Sequence, residues 1–284
     1  MTNAGWHNTP RECTRNVHNS RKVLIMSTPT LSNLAAVDAT VGARILLALV
    51  APQAALQRRI QPPWDLSSAR NAYATAVGPV PDEDQPNLFV VFNDLLLNQD
   101  AAGKTQADAQ ACYVGFNIPV FQRETGQSGM FHFRILTGNR HAVPGRFLDA
   151  VLADVVHSQH ATSNGTDTTL TESFTITDEH GGQVALHLEY QRGPLFRITA
   201  DRPNFPIWAA TDPAILRVYQ DDALVDIIRN DAQNINHTSE LAFRVTVPEL
   251  RDLFDGTERL VAIIANPWYA RRVFGPPRAA QPAG

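Results

Sequence analysis

A repeated pattern of short β-branched and aromatic segments, separated by glycine, proline, asparagine and aspartate, constrains this chain more than any other feature. Such segments are typical of strands, and the separating residues are typical of turns. The segments are NLFVVFND (87–94), CYVGFNIPVF (112–121), MFHFRILT (130–137), QVALHLEY (183–190), PLFRITA (194–200), AILRVYQ (214–220), ELAFRVTV (240–247) and RLVAIIAN (259–266). Many strands with few helices predict an α+β, β-rich domain. It is barrel-like or consists of two packed antiparallel sheets enclosing a pocket, with a few peripheral helices.

Three stretches fit a helical period better than an alternating one. Residues 37–60 carry an apolar stripe that Pro52 interrupts. A second predicted helix begins near Pro144 and runs through RFLDAVLADVVHS, and a third, short one is PELRDLF (248–254). The stripe of the first consists of Ile45, Leu46, Leu49 and Leu56, and that of the second of Phe147, Leu148, Val151 and Val155.

The ends of the chain differ in composition from its middle. Residues 1–30 are rich in Asn, Thr, Arg and His without apolar periodicity, which predicts a disordered N-terminal extension. Residues 31–275 are predicted to form a single β-rich domain, and residues 276–284 a flexible tail.

Composition excludes several classes of function. A formal net charge of −4 does not predict a nucleic-acid surface, which needs a dense basic face. No apolar run approaches the roughly 20 residues of a membrane span, so we expect no membrane association and a cytoplasmic location. The two cysteines form no disulfide framework and no zinc motif, and Cys112 is interpreted as a buried, inert thiol.

The lysine content restricts the chemistry further. Lys22 and Lys104 are the only lysines, so nearly all positive charge is arginine. Arginine stays protonated and is a poor nucleophile, whereas a desolvated lysine forms Schiff bases. Lys22 lies in the polar N-terminal segment and Lys104 in a predicted loop. A covalent amine mechanism therefore has almost no residue to use.

Polar side chains on strand faces are the main candidate binding groups. Alternation places two polar side chains on one face of each of three strands: His132 with Arg134, His187 with Glu189, and Arg217 with Tyr219. If these faces point into one barrel, they line a polar pocket whose arginines clamp a carboxylate. The alternative is that they are ordinary solvent faces.

The junction GNRHAVPGRFLDAV (138–151) follows one of these strands. Arg140 and Arg146 are candidates for anion binding, and His141 for proton exchange near neutral pH. The structural alternative is a turn in which Gly145 adopts a positive φ and Arg146 pairs with an aspartate. Both interpretations remain open at the level of sequence.

Histidines also allow a metal hypothesis. His157 and His160 are three residues apart, so a helix would place them on one side, where His187 could complete a site. The alternative is an exposed helix end at which histidines interact with the helix dipole. The favoured interpretation assigns no metal.

Two segments resemble acetoacetate decarboxylase-like proteins. MFHFRILTGNRHAVPGR ends in Gly145-Arg146 and is followed by FLDAVLADV, and LLALVAPQAALQRRIQPPW (46–64) resembles the segment that precedes such strands in related proteins. The resemblance extends over about residues 37–274. It implies a β-rich fold around a small-molecule pocket, with the Gly-Arg turn near its wall.

The chain departs from that family at the positions that carry its chemistry. Phe147 stands where the family typically has glutamate, and LDAVLADVV contains no lysine where the family has its catalytic one. The family's Schiff-base decarboxylation is therefore not expected here.

Three functions fit these residues. The first is a lyase, hydratase or isomerase without a Schiff base, acting on a carbonyl or carboxylate compound without a cofactor. In it, catalysis falls to His132, His141 and Glu189, and substrate binding to Arg134, Arg140, Arg146, Arg217 and Tyr219. The second is a non-catalytic module that only binds the ligand. The third is a metal-assisted enzyme that uses His157, His160 and His187. The expected partner is a small molecule, and a homo-oligomer remains open.

Overall fold

The computed structural model describes residues 34–67, 85–106, 111–124, 126–147, 150–201, 203–209 and 216–276. Within these ranges the chain forms fourteen strands, one short α-helix and three 3-10 turns. The strands are β1 Ala35–Val50, β2 Trp64–Leu66, β3 Leu88–Asp100, β4 Ala111–Gln122, β5 Gln127–Thr137, β6 Val151–Asn164, β7 Asp167–Asp178, β8 Gln183–Gln191, β9 Phe196–Thr199, β10 Phe205–Ala209, β11 Leu216–Asn230, β12 Ile235–Asn236, β13 Thr238–Val245 and β14 Arg259–Gly275. The helix α1 is Gln53–Gln57, and the 3-10 turns are Arg140–Ala142, Asp231–Gln233 and Pro248–Leu250.

Seven strands close into a barrel in the order β5, β10, β11, β14, β1, β3 and β4, because β4 pairs back onto β5. All of these pairs are antiparallel except β10 with β5. Closure removes the exposed edges that an open sheet of this length would have.

A second layer covers one side of the barrel. Strand β6 pairs in parallel with the end of β5 and then leaves it to form an antiparallel sheet in the order β6, β7, β8 and β13. The inner face of this outer sheet is apolar, and its Phe174 ring lies 5.2 Å from Phe92 of the barrel. The outer sheet therefore packs on the outside of the barrel wall.

The first strand shows how the wall separates two cores. Ile45, Leu47 and Leu49 point outward into the core between barrel and outer sheet. Leu46 and Ala48 point inward and pack with the second hydrophobic cluster. Both faces of β1 are thus apolar, as expected for a strand that is buried on both sides.

The prediction of a β-rich, barrel-like fold is confirmed. Each of the eight segments proposed as strands overlaps a strand of the structure. The DEHGG segment after β7 is a hairpin turn, in which the Asp178 carboxylate accepts the backbone N–H groups of His180 and Gly182.

The helix predicted over 37–60 is wrong, because residues 35–50 form β1 and only α1 is helical. A strand that is buried on both faces reads as a continuous apolar run, and such a run also matches a helical stripe. Pro52, which interrupts the predicted helix, lies between the end of β1 at Val50 and the start of α1 at Gln53.

The helix predicted from Pro144 is wrong as well, because its second half forms β6. Val151 and Val155 do lie on one face, but residues four apart share a face in a strand as well as in a helix. Positions 148 and 149 lie outside the described residues. PELRDLF contributes only the 3-10 turn Pro248–Leu250.

The predicted N-terminal extension lies outside the described residues, as does the tail beyond Pro276. None of the helices among the described residues has the length and apolar character needed to cross a bilayer.

Candidate functional site

The interior of the barrel holds a cavity of about 260 Å³. Apolar side chains make up most of its wall, and a few polar groups converge on it, as is common in small-molecule sites. The apolar residues include Leu46, Phe89, Val91, Met130, Ile207 and Ile264. The polar residues include Arg44, Asn93, Asn117, His132, Asn204, Tyr219, Asp221, Asn266 and Arg271.

A buried arginine and aspartate pair forms the charged part of the wall. Arg271 of β14 and Asp221 of β11 are directly opposite each other in the sheet. The guanidinium donates from Nε to Oδ1 and from Nη2 to Oδ2, both at 2.7 Å. Burial opposes the charged form of Asp221, but the nearby arginines outweigh it and hold its pKa at about 2. Both partners are therefore charged at neutral pH.

A second arginine joins this pair and gives the wall a net positive charge. Arg44 Nη2 lies 3.2 Å from Asp221 Oδ2, and Arg44 Nε donates to Asn266 Oδ1 at 2.6 Å. Arg271 stacks over the Tyr219 ring at 3.9 Å, and Arg44 over Tyr269 at 4.7 Å. Two guanidiniums face one carboxylate, so one positive charge is left uncompensated within this group.

His132 supplies the only imidazole among the described residues of the wall. Its ring centroid lies 5.0 Å from that of Phe147, and its Nδ1 is buried without a hydrogen bond. Burial, together with the charge of Arg271, lowers the pKa of His132 to about 3. The imidazole is therefore neutral over the physiological range. The ring that packs against His132 is that of Phe147, the residue after Gly145-Arg146.

The bulge in β5 separates His132 from Arg134. Asn117 pairs with His132 and Phe116 with Arg134, so Phe133 is an extra residue on β5. Arg134 consequently forms an ion pair with Glu249 and does not line the cavity. The prediction that His132 and Arg134 share one face is wrong, because the bulge breaks the alternation.

The Gly-Arg junction packs behind the cavity wall. Gly145 has a φ of 83°, which agrees with the turn interpretation, and Arg146 also has a positive φ, of 53°. Arg217 Nε donates to the Gly145 carbonyl at 2.7 Å, and the Tyr219 hydroxyl lies 3.5 Å from the Pro144 carbonyl. Tyr219 lines the cavity, whereas Arg217 and Arg146 are not among its lining residues.

The remaining predicted site residues lie away from the cavity. Arg140 and His141 are exposed on the 3-10 turn before the Gly-Arg junction. Glu189 is on the outer sheet and accepts a hydrogen bond from the Ser239 hydroxyl at 2.7 Å. The described lysine, Lys104, is exposed in the turn after β3. Within the described residues, no lysine lines the cavity.

The three histidines of the metal hypothesis do not converge. They were placed on a helix, but His157 and His160 lie on β6, where a separation of three residues puts them on opposite faces. His157 points toward the barrel, while His160 is exposed. His187 of β8 bonds the Ser173 hydroxyl at 2.8 Å, on the face of the outer sheet opposite the buried Phe174.

Sequence reasoning missed Arg44, Asp221 and Arg271 as cavity residues. Arg44 lies in residues 37–60, for which the apolar stripe predicts a helix. The available signal was a lone arginine inside the apolar run VGARILLALV, which alternation places on the same face as Leu46.

No protein-family model matches the chain, and no curated protein matches it either. The solved structures that align with it include the enduracididine biosynthesis enzyme MppR complexed with pyruvate, with 10% identity, coverage of 86% of this chain and 89% of that chain, and a TM-score of 0.47. An acetoacetate decarboxylase-like enzyme from Sphingomonas wittichii RW1 aligns with 9% identity over 84% of this chain and 91% of that chain, with a TM-score of 0.45. Acetoacetate decarboxylase from Legionella pneumophila subsp. pneumophila str. Philadelphia 1 aligns with 13% identity over 89% of this chain and 91% of that chain, with a TM-score of 0.45. All three alignments combine identities of 9–13% with TM-scores below 0.5.

Proposed function

We propose that the barrel cavity binds a small carboxylate or carbonyl compound and that the chain acts on it without a Schiff base. The observation that carries this proposal is the excess positive charge of Arg44 and Arg271 over Asp221 in an otherwise apolar cavity. A buried positive charge attracts an anion strongly because little water screens it. The apolar wall favours a ligand with a hydrocarbon body.

Both guanidiniums retain donors for such a ligand. Arg271 uses Nε and Nη2 for Asp221, and Arg44 uses Nε for Asn266 and Nη2 for Asp221. Among the described residues, the Nη1 group of each has no hydrogen-bond partner. A guanidinium carries five N–H donors, so a carboxylate can bind without breaking the existing pairs.

In this proposal, the neutral His132 interacts with the carbonyl group of the ligand through Nε2. A neutral imidazole in its N–H tautomer polarises a carbonyl by hydrogen bonding, and the arginines stabilise the negative charge that develops on the oxygen or the adjacent carbon. A lyase, hydratase or isomerase reaction has such a charged intermediate. The two arginines would then stabilise the negative charge that a Schiff base stabilises in lysine-dependent enzymes.

A non-catalytic binding role is the second candidate, and the pKa values favour it. Efficient general acid–base groups have pKa values near the working pH. The pKa of His132 is lowered to about 3, the pKa of Asp221 is lowered to about 2, and burial raises the pKa of Tyr219 well above its ordinary range. None of these three groups is suited to proton transfer at pH 7 in the free protein.

Calorimetric titration with short carboxylates and their uncharged amides tests the binding proposal. We expect each carboxylate to bind at least about 10-fold more tightly than its amide, which corresponds to about 1.4 kcal/mol. Arg44→Gln should remove this preference. Arg272→Gln is the matched control, because Arg272 is exposed on the neighbouring position of β14. If carboxylates and amides bind equally, or if neither binds, the proposed anion site is wrong.

Turnover of a panel of keto acids, followed by NMR, separates the two candidates. An enzyme should convert at least one bound acid, and His132→Gln should reduce the rate while leaving the affinity nearly unchanged. Binding without conversion of any acid supports the binding module. Borohydride should trap no adduct, and a trapped lysine adduct would contradict the proposed chemistry in both cases.

A further inference from the structure

A cluster of metal-binding side chains lies on the outer surface of the barrel wall. Asp94 of β3 and Cys112 of β4 are directly opposite each other in the sheet, and His157 of β6 faces them from the outer sheet. The Cys112 Sγ atom lies 3.4 Å from Asp94 Oδ1, and His157 Nδ1 lies 3.6 Å from Asp94 Oδ2. One ligand atom from each residue falls within 4.8 Å of the other two.

The orientation of His157 is held from its other side. Nε2 lies 3.0 Å from Glu172 Oε2, and the second oxygen of Glu172 accepts a hydrogen bond from Gln159. The ring stacks on Phe174 with a centroid distance of 4.1 Å and an interplanar angle of 12°. Histidines that bind metals usually donate their other N–H to a carboxylate, which fixes the tautomer. In the tautomer that donates from Nε2 to Glu172, the lone pair is on Nδ1, which lies 3.6 Å from Asp94 Oδ2.

The distances fit a tetrahedral metal ion. Zinc binds cysteine sulfur at about 2.3 Å, histidine nitrogen at about 2.0 Å and carboxylate oxygen at about 2.1 Å, which places neighbouring ligand atoms about 3.3–3.7 Å apart. Asp94 approaches the other two residues at distances in this range, with Oδ1 3.4 Å from Cys112 Sγ and Oδ2 3.6 Å from His157 Nδ1. A recess of about 20 Å³ opens beside Asp94 and His157, enough for one water molecule as a fourth ligand.

We propose that Asp94, Cys112 and His157 bind one Zn²⁺ ion, with Glu172 as a positioning residue and water in the fourth position. The ion would join strands β3 and β4 of the barrel to β6 of the outer sheet. This site is distinct from the barrel cavity, because the neighbouring residue Asn93 lines the cavity and Asp94 points to the opposite face.

Metal binding replaces the proton on Cys112, since only the thiolate is a ligand. A Cys112 thiol that binds the ion therefore gives up its proton.

Titration of the EDTA-treated full chain with Co²⁺ tests the site, because a cobalt-bound thiolate gives a charge-transfer absorption. We expect one equivalent of Co²⁺ to produce this band and one equivalent of Zn²⁺ to abolish it by displacement. Cys112→Ser should remove the band, whereas Cys13→Ser, which changes the other cysteine, should leave it intact. Glu172→Gln should keep the band and weaken binding about 10- to 100-fold.

His160→Ala is the matched control for the histidine, because it changes an exposed residue on the same strand. Circular dichroism of each variant verifies folding, and the wild-type titration decides the question even if a variant does not fold. Absence of the band in folded wild-type protein would overturn the proposal. Retention of the band in Cys112→Ser would also overturn it.

Discussion

A buried aspartate next to the Gly-Arg junction should make the stability of this protein strongly pH-dependent. Asp38 of β1 is 4% exposed, and its Oδ2 accepts the Gly145 N–H at 2.9 Å. Its Oδ1 is buried without a hydrogen-bond partner among the described residues. Burial raises the pKa of Asp38 from 3.8 to about 6, and the Gly145 N–H and the charges of Arg146, Arg217 and Arg271 offset only part of that effect.

The magnitude follows from the difference in pKa between the unfolded and folded states. A rise from 3.8 to about 6 corresponds to about 3 kcal/mol, at about 1.4 kcal/mol for each pKa unit. Because the folded-state pKa is raised, the stability contribution of Asp38 is fully present below pH 3.8 and is lost as the pH rises through 6. At pH 8 the charged carboxylate destabilises the fold by the full amount.

Asp38→Asn should remove this dependence, because the amide oxygen still accepts the Gly145 N–H and carries no charge. We expect the variant to be more stable than the wild type by up to about 3 kcal/mol at pH 8, with the advantage shrinking toward pH 4. Urea unfolding at pH 4, 6 and 8, monitored by tryptophan fluorescence, measures the difference.

Asp222→Asn is the control, because the pKa of Asp222 is shifted in the opposite direction to that of Asp38. Hydrogen bonding to Arg197 lowers the pKa of Asp222, so this variant should gain no stability at pH 8. A constant free-energy difference between Asp38→Asn and the wild type at all three pH values would refute the reasoning. So would a lower stability of Asp38→Asn at pH 8.

Other substitutions test the packing of the two layers and the neutral state of the cavity histidine. Gly129→Ala should destabilise by about 1–3 kcal/mol in urea unfolding, because its Cβ would lie 2.3 Å from the Pro206 carbonyl oxygen. Gly138→Ala, which meets only ordinary contacts at 3.8 Å or more, should cost far less, and equal losses would contradict the clash. Phe92→Ala should lower the free energy of unfolding by about 3–5 kcal/mol, because the ring is fully buried between barrel and outer sheet; a loss below about 1 kcal/mol would argue against that packing. The contribution of His132 to stability should be lost as the pH drops from 6.5 toward 3, opposite in sign to that of Asp38, because the unfolded chain protonates His132 and the folded one does not. His132→Gln should reduce this loss of stability. If the variant and the wild type lose the same free energy of unfolding below pH 6.5, His132 is not a neutral buried imidazole.

The predictions from sequence succeeded where one local pattern had one structural meaning. Aromatic and β-branched segments bounded by turn residues form strands. The predictions failed for β1 and β6, because their apolar positions fit the period of a helix as well as that of a strand. A strand buried on both faces loses its alternation, and Val151 and Val155 share a face in either conformation.

The candidate site was predicted in part. His132 and Tyr219, which were chosen by alternation, line the cavity. Arg134 does not, because the register shift in β5 turns it to the other side. A bulge depends on the pairing of two strands and leaves no reliable mark in the sequence of either one.

The sequence by itself determined that the chain is rich in strands and that its chemistry has almost no lysine available. Both follow from residue types, which are local properties. Only the tertiary structure decided which polar residues meet, because Asp221 and Arg271, or Asp94 and Cys112, are brought together by strand register. Asp94 and Cys112 are 18 residues apart and Asp221 and Arg271 are 50 apart. The barrel also depends on distant segments, because β10, β11 and β14 lie between β5 and β1 in the sheet. Pairing between distant segments depends on the whole set of strands at once, so the charged cavity wall and the cluster around His157 exist only in the folded protein.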